Sequence, residues 1–436
     1  MAERKSNWDD RLECAELSDI GMRRAINQDS KKILLASDEE SWNDRGHFFM
    51  VADGMGAHAA GELASQLAVD GVAHLYFKYT ELSPLEALRK AMVETNSEVH
   101  RRGQANTDFL NMGTTASALL LLPQGAIAGH IGDSRVYRLR GQRLEQLTRD
   151  HSLVWELKAA GHLTEGGDLA QTIPSNVITR SLGPSASVDV DFEGPWPIEV
   201  DDVFLLCSDG LTGKVEDEEL ASILSYLSPH DAASLLVDLA NLRGGPDNIT
   251  VILAKVVKPA MVTNSADTQA ERRRAEKQRA AARPVVGVGV AVCLLIALIL
   301  VITERFFHAV SATVLAFLVY LAGLLAAKRG DSRGVFAGGG KGRYGQGPYS
   351  KTSCPSRKAA TDLLSKIAQN LRQCDPGETI SLDWSRFDAS CDSAANAEQA
   401  GRGDDAIRGY ARAIRELMNQ VRVAQNKNAS DSAIEY

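Results

Sequence analysis

The sequence contains none of the paired cysteine spacings that indicate a disulfide frame or a zinc site. Its six cysteines are scattered along 436 residues without a C-x-x-C pair, which favours reduced thiols in a reducing compartment. Positive charge is outweighed, because 48 Lys and Arg stand against 56 Asp and Glu and give a net charge of −8. We therefore expect no nucleic-acid partner. The first residues, MAERKSNWDDRLECAEL, lack the apolar core of a secretory signal, so we expect the chain to begin in the cytoplasm.

The largest segment, residues 10–257, alternates short apolar runs with helical periodicity, as a globular α/β or α+β domain does. Several predicted strands follow one another directly, which disfavours an all-parallel sheet. Strands are predicted at 47–52, 115–122, 126–131, 134–139, 203–207 and 249–257. Helices are predicted at 59–76, 84–102, 152–160, 218–227 and 231–242.

Two long uncharged runs follow a polar linker at 258–284 that is rich in basic residues. They cover 285–302 and 309–327, and each is near the minimum length for crossing a bilayer core. Basic residues on both outer flanks place both ends in the cytoplasm by the positive-inside rule. The sequence thus predicts a transmembrane hairpin in the inner membrane, surrounded by bilayer lipid, with a buried core hairpin as the alternative.

The C-terminal region changes character twice more. Residues 328–358 are Gly-rich and predict a flexible linker, and residues 359–425 predict a helical tail. Small residues in that tail have a spacing that resembles one tetratricopeptide repeat, with generic cytoplasmic helices as the alternative. Since a single helical pair buries little surface alone, the tail would need a neighbour, a protein partner or a second copy.

Four aspartates border the apolar strands. Asp53, Asp133 and Asp209 come directly after predicted strands, and Asp247 precedes the strand at 249–257. In an antiparallel neighbour, that end can meet the others. Carboxylates at one rim suit Mg²⁺ and Mn²⁺, which prefer oxygen ligands. A single Asp-Gly pair is more typical of a turn, but four aspartates in this arrangement favour a metal site.

A short stretch near the start, SDIGMRRAINQDS, concentrates Asp19, Arg23, Arg24, Asn27 and Asp29. Arginine is the side chain best shaped to bind a phosphate dianion with two hydrogen bonds. Beside a carboxylate–metal site, this stretch predicts a clamp for the phosphoryl group of a substrate. A water bound between two divalent ions would be acidic enough to lose a proton, and the resulting hydroxide could attack the phosphorus atom.

Eight motifs occur in one order along residues 10–256: SDIGMRRAINQDS, FFMVADGMGAHAAGE, MGTTASALLL, GHIGDSRVYRL, LTRDHSLV, VITRSLG, VFLLCSDGL and GGPDNITVIL. This succession resembles the metal-dependent protein phosphatases of type 2C in their bacterial form. The resemblance implies an α+β fold, an α-β-β-α sandwich of two antiparallel sheets with helices outside and a metal site in a cleft at one rim. It also implies hydrolysis of phosphoserine and phosphothreonine with Mn²⁺ or Mg²⁺.

The resemblance implies a metal-binding role for five residues. Asp53 would bridge two ions, and Gly54 would offer its carbonyl oxygen. Asp209 and Asp247 would complete the shell of one ion, and Asp133 would share a third, weaker ion with Asp209.

Other residues match the family's substrate-binding and supporting positions. Arg24 matches the arginine that binds phosphate, while Asn248 and Asp29 would orient the ligands. Gln28 stands where the family usually has a glutamate that helps to hold one metal through water. His58 would protonate the leaving alkoxide, or it is a helix-entry residue without a chemical role.

Two further features concern the surroundings of the site. Ala57 replaces the second glycine of the usual DGMGGH, which adds a methyl group where the backbone is tight. Residues 155–177 lie where the family has a mobile flap beside the active site, and substrate choice is expected there.

The sequence thus predicts a membrane-tethered protein serine/threonine phosphatase. Its partners would be phosphorylated proteins, with membrane serine/threonine kinases among the candidates, and a further protein could bind the tail. One alternative is a catalytically inactive phosphatase fold that serves as a membrane scaffold through its tail. Another is a metal-dependent phosphatase of small phosphorylated molecules.

Overall fold

Two antiparallel sheets form the centre of the fold, and helices lie outside them. The computed structural model describes residues 11–56, 59–161, 177–258, 344–373 and 382–434, with side chains of the last helix as far as residue 425. The chain divides into two compact units, residues 1–262 with 345–436, and residues 263–344. Apart from Tyr344, the described residues belong to the first unit.

The strands are β1 (Leu12–Asp19), β2 (Asp29–Leu34), β3 (His47–Met55), β4 (Gly113–Thr114), β5 (Ala116–Leu122), β6 (Gly125–Ile131), β7 (Arg135–Arg140), β8 (Arg143–Gln146), β9 (Asp191–Trp196), β10 (Val203–Cys207), β11 (Ile249–Val256) and β12 (Ser350–Ser353). One sheet has the order β1-β11-β10-β7-β8-β12, and the other has the order β2-β3-β5-β6-β9, with β4 paired to β3. The predicted arrangement of two antiparallel sheets flanked by helices is confirmed.

The helices are α1 (Glu39–Asp44), α2 (Ala60–Lys78), α3 (Pro84–Ala105), α4 (Leu153–Ala159), α5 (Asp209–Thr212), α6 (Asp217–Tyr226), α7 (Pro229–Leu242), α8 (Arg357–Gln373), α9 (Trp384–Gln399) and α10 (Gly403–Ile434). Local sequence explains where two of them begin. Ser83 and Glu86 form a capping box at α3, with Pro84 in the first turn. At α7, Ser228 caps the helix and Pro229 opens it.

The core forms two layers because successive strand side chains point to opposite faces. On β10, Phe204 and Leu206 lie in a buried cluster with Phe49 and Leu119 of the other sheet. Leu205, between them in the chain, lies in the cluster that the outer helices cover. The sheets are therefore held face to face, and the loops at their ends are free to form a site.

The C-terminal tail packs against the domain formed by residues 11–258. Strand β12 pairs with β8 from Ser350 opposite Gln146 to Ser353 opposite Arg143, so part of the predicted flexible linker extends a sheet. Ile407 and Ile414 of α10 share a buried cluster with residues of α7. The neighbour that a short helical tail requires is thus the domain that precedes it.

Phe387 tests whether this packing stabilises the whole unit. Its side chain is 2% exposed within the cluster that joins the tail to α7. Phe387→Ala is expected to lower the free energy of unfolding by about 3 kcal/mol in a single cooperative transition. Val423→Ala, at a side chain that is 69% exposed, is the control and should change little. A separate early transition in thermal denaturation of Phe387→Ala would show that the tail unfolds alone.

The predicted membrane localisation requires correction. Within the ranges that the structure describes, no helix combines the length and apolar character needed to cross a bilayer. The runs predicted as spans, 285–302 and 309–327, lie outside those ranges. The prediction of a two-span inner-membrane protein is therefore withdrawn, together with its lipid contacts.

Candidate metal centre

Five aspartates from both sheets converge at one rim. Asp53 lies near the end of β3, directly opposite Asp29 at the start of β2. Asp133 follows β6, Asp209 opens α5 after β10, and Asp247 precedes β11. Asp53 interacts electrostatically with each of the other four. The four aspartates that the sequence places at strand ends, Asp53, Asp133, Asp209 and Asp247, therefore lie close together in the fold, and Asp29 joins them.

The crowded carboxyl groups have raised pKa values. Burial, with the neighbouring charges of Asp29 and Asp209, raises the pKa of Asp53 well above its usual range. Burial likewise raises the pKa of Asp29 and that of Asp133 to about 7, each with a contribution from Asp209. Burial and the charge of Asp247 raise the pKa of Asp209. Such a cluster is unfavourable when ionised alone, and bound cations would remove the penalty.

Orphaned oxygen atoms show that the cluster fits a hard cation. Among the described residues, one buried carboxylate oxygen each of Asp29, Asp133 and Asp209 has no hydrogen-bond partner. Buried acceptors in native proteins nearly always have a partner, so these three carboxylate oxygens are suited to contact a bound cation. In the same ranges, no group of three His, Cys, Asp or Glu side chains lies close enough together to coordinate one metal ion by itself. Mg²⁺ does not require one, because it keeps several waters and binds one or two carboxylates.

Hydrogen bonds from two threonines fix the backbone of Asp53. Its amide donates to Oγ1 of Thr115 at 2.8 Å. Its carbonyl oxygen accepts from Oγ1 of Thr114 at 2.9 Å and from the amide of Thr115 at 2.8 Å. These threonines belong to the MGTT motif, to which the sequence analysis gave no role. They hold the aspartate in place without using its carboxylate.

Gly54 occupies a position where the structure has no room for a side chain. A Cβ atom there would lie 2.0 Å from the carbonyl oxygen of Gly61 and 2.7 Å from that of Gln28. Its amide donates to the Gln28 carbonyl oxygen at 3.1 Å. The glycine therefore allows two backbone segments to approach next to Asp53.

Asn248 ties the loop between β1 and β2, residues 20–28, to the segment that carries Asp247. We call this loop the Arg24 loop. Its side-chain Nδ2 donates to the carbonyl oxygens of Ile20 at 2.9 Å and Ile26 at 3.1 Å. Its Oδ1 accepts from the amide of Gln28 at 2.8 Å. Both ends of the loop are thus held by one side chain, which suits the orienting role expected for Asn248.

Arg24 lies beside the carboxylates and already contacts one of them. Its Nη2 donates to Oδ2 of Asp247 at 2.8 Å, and its Nε donates to the carbonyl oxygen of Pro246 at 3.3 Å. The Arg24 side chain is 46% exposed, so solvent reaches this ion pair. A phosphate could therefore compete for the guanidinium group.

Asp29 begins the strand that pairs with Asp53, and Gln28 directly precedes that strand. The side-chain amide of Gln28 donates to the carbonyl oxygen of Gly56 at 3.4 Å, a bond that a glutamate could not donate. Oδ2 of Asp29 accepts from Oγ of Ser208 at 2.7 Å, and this hydroxyl accepts from the amide of Thr250 at 3.0 Å. Ser208 was not identified from the sequence, although it directly precedes Asp209.

Some predicted residues fall outside the described ranges. His58 and Ala57 do, and so do residues 162–176, most of the predicted flap. The roles predicted for His58 and for the flap therefore remain predictions.

The comparison with known families identifies the fold around this rim. Residues 23–240, which are half of the chain, match the family described as Protein phosphatase 2C. The chain belongs to the protein phosphatase 2C family. It is a metal-dependent protein serine/threonine phosphatase of this type, and the ions of the family are Mn²⁺ or Mg²⁺.

Curated relatives cover the same part of the chain. A putative protein phosphatase 2C-type of Streptococcus pyogenes is 38% identical over 242 residues, which are 54% of this chain and 94% of the relative. Protein phosphatase PhpP of Streptococcus pneumoniae is 36% identical over 252 residues, 56% of this chain and 98% of the relative. Each alignment therefore spans a little more than half of this chain and nearly the whole of the relative.

Two solved structures are similar to this chain. The serine/threonine phosphatase of S. agalactiae is 36% identical with a TM-score of 0.50, covering 56% of this chain and 99% of that one. The catalytic domain of the phosphatase PstP, solved with two manganese ions, is 34% identical with a TM-score of 0.47, covering 57% of this chain and 99% of that one.

Proposed function

We propose that this phosphatase hydrolyses phosphoserine and phosphothreonine in proteins at the carboxylate rim, with Arg24 binding the phosphate. The observation that carries the proposal is the meeting of aspartates from both sheets, with buried oxygens that lack partners, next to an exposed arginine. Carboxylates recruit cations, and arginine recruits phosphate dianions. Together they suit a phosphate ester better than either feature does alone.

The metal-binding residues we propose are those of the rim. Asp53, Asp209, Asp247 and the carbonyl oxygen of Gly54 would hold two Mn²⁺ or Mg²⁺ ions, and Asp133 with Asp209 would hold a third, weaker one. When bound, such ions lower the pKa of coordinated water, so that it can attack phosphorus near neutral pH.

The chain's own residues would orient the substrate. Arg24 would exchange the carboxylate of Asp247 for the phosphate, an exchange that is inexpensive because the ion pair is solvent-exposed. Asn248 would keep the Arg24 loop at a constant distance from the rim through its bonds to Ile20 and Ile26. Asp29 and Gln28 would support the ligands from behind, and His58 is the residue we propose for protonating the departing oxygen.

The substrates we propose are phosphorylated proteins, and serine/threonine kinases that create such phosphoesters are the candidate partners. The names of the similar proteins support this choice, because PhpP is a protein phosphatase and the S. agalactiae protein is a serine/threonine phosphatase. The exposure of Arg24 also supports it, because an exposed arginine can reach a phosphate that is presented on the surface of another protein.

The test uses the full chain stripped of metal and assayed on phosphothreonine peptides. Release of phosphate is expected to depend on added Mn²⁺ or Mg²⁺ and to disappear with a chelator. A panel of small phosphate monoesters assayed in parallel distinguishes the substrate class. Faster turnover of the small esters would refute the protein substrate, and no turnover of any ester by the folded, metal-loaded chain would refute the hydrolase.

A further inference from the structure

Arg422 of the C-terminal helix α10 reaches two aspartates of the phosphatase part. Its Nη2 lies 3.2 Å from Oδ2 of Asp19, a residue 403 positions earlier in the chain. Its Nη1 lies 2.8 Å from Oδ1 of Asp238. One guanidinium group therefore joins the end of β1 to α7, the two elements that lead into the Arg24 loop and the Asp247 segment.

Asp19 is the last residue of β1, and it shapes the Arg24 loop that follows it. Its Oδ1 accepts from the amide of Gly21 at 2.9 Å and from the side-chain amide of Asn241 at 3.0 Å. Gly21 has a φ of +81°, and a Cβ atom there would lie 2.1 Å from the carbonyl oxygen of Asp247. The loop is thus pressed against the Asp247 segment at the turn that Asp19 holds.

Arg422 places a positive charge between the carboxylates of Asp19 and Asp238. The side chain of Asp238 is 5% exposed, and burial raises its pKa to about 6. Arg422, which also donates a hydrogen bond to it, and Arg415 oppose that rise, and Asp19 adds to it. Without the arginine, Asp19 and Asp238 would face each other as two carboxylates. Their repulsion would act directly on the residue whose other oxygen holds the turn at Gly21.

We propose that Arg422 is a positioning residue for Arg24, through which the tail holds the phosphate-binding loop against the rim. The inference rests on the proposed role of Arg24. It concerns a helix that lies outside the matched family region, residues 23–240. In this chain, phosphate binding is therefore coupled to the C-terminal helix.

The experiment compares Arg422→Ala with Arg415→Ala in the full chain. Arg415 is a matched control because it also joins α10 to α7, through Asp231 at 2.9 Å, and also acts electrostatically on Asp238, but its ion pair is with Asp231 rather than with Asp19. Arg422→Ala is expected to raise KM for a phosphothreonine peptide about fivefold and to leave kcat within about twofold. Arg422→Lys should recover part of the loss, because it restores the charge without the forked geometry.

A second readout does not depend on activity. Amide hydrogen exchange of a peptide covering residues 19–27 should become faster in Arg422→Ala and remain unchanged in Arg415→Ala. If Arg422→Ala does not fold, Arg422→Gln, which retains a side-chain donor, replaces it.

A double-mutant cycle separates positioning from general damage. If Arg422 acts through Arg24, adding Arg422→Ala to Arg24→Ala should change KM little further. An inactive wild-type chain would refute the proposed function, and hydrogen exchange would still decide the present proposal. An active wild-type chain in which Arg422→Ala matches Arg415→Ala in both KM and exchange would overturn it.

Discussion

Asp53→Asn is expected to abolish metal-dependent turnover, lowering kcat/KM by at least about a thousandfold. The substitution keeps the shape of the side chain but removes the charge at the centre of the cluster, which interacts with all four other rim aspartates. The backbone bonds from Thr114 and Thr115 do not involve the carboxylate, so the loop should remain in place.

The same substitution should stabilise the metal-free protein. Removing one of several mutually repelling carboxylates relieves like-charge repulsion, so the melting temperature without metal should rise while activity falls. Asp70→Asn is the control, because Asp70 pairs with Lys32 at 2.9 Å away from the rim and should leave turnover unchanged. Retained activity in Asp53→Asn would show that the rim is not the catalytic centre.

Arg24→Ala is expected to raise KM for phosphopeptides about thirtyfold or more, with a smaller effect on kcat. The guanidinium group is the cationic side chain nearest to Asp247 in the described contacts, and its loss removes the forked hydrogen bonds that suit a phosphate. Inhibition by inorganic phosphate should weaken in parallel, because product and substrate present the same dianion.

Arg102→Ala provides the matched control for Arg24. Arg102 is 49% exposed and pairs with Glu98 on α3, so it resembles Arg24 in exposure and in having one ionic partner. It should leave KM unchanged, and Arg24→Lys should fall between the wild type and Arg24→Ala. An equal rise in KM for Arg102→Ala and Arg24→Ala would mean that the effect of Arg24 reflects general surface charge.

Hydrophobic patterning identified the central strands because burial on both faces selects continuous apolar runs. Val203–Cys207 and Ala116–Leu122 lie in the middle of their sheets and are buried throughout. Such runs predict a strand before any partner is known. A domain of mixed strands and helices without an all-parallel sheet could thus be inferred from the sequence. The resemblance supplied the two sheets, their face-to-face packing and the helices outside them.

The strands that sequence reasoning missed carry little apolar character of their own. Leu12–Asp19 and Asp29–Leu34 are rich in polar residues, and Asp191–Trp196 contains a proline. Ser350–Ser353 has no apolar residue and follows a Gly-rich segment. Each exists because a neighbouring strand offers hydrogen bonds, and single-sequence periodicity cannot show that.

The candidate site divides in the same way. Aspartates at strand ends could be found from the sequence, because each follows or precedes an apolar run. The contacts between distant segments could not, since the bond from Ser208 to Asp29 and that from Arg422 to Asp19 depend on how the sheets and the tail pack. Gln28 is intermediate between these two cases. The sequence shows that a glutamine stands where the family usually has a glutamate, but only the fold shows its hydrogen bond to Gly56.

Direct measurement of Mn²⁺ binding to the full chain tests the central claim, that the aspartate rim is a metal centre. Isothermal titration of the metal-free wild type should show at least two bound ions, and Asp53→Asn should lose them while Asp70→Asn retains them. Binding should also raise the melting temperature of the wild type. No Mn²⁺ or Mg²⁺ binding to the folded wild type, or equal binding to Asp53→Asn, would contradict the account and favour a catalytically inactive phosphatase fold.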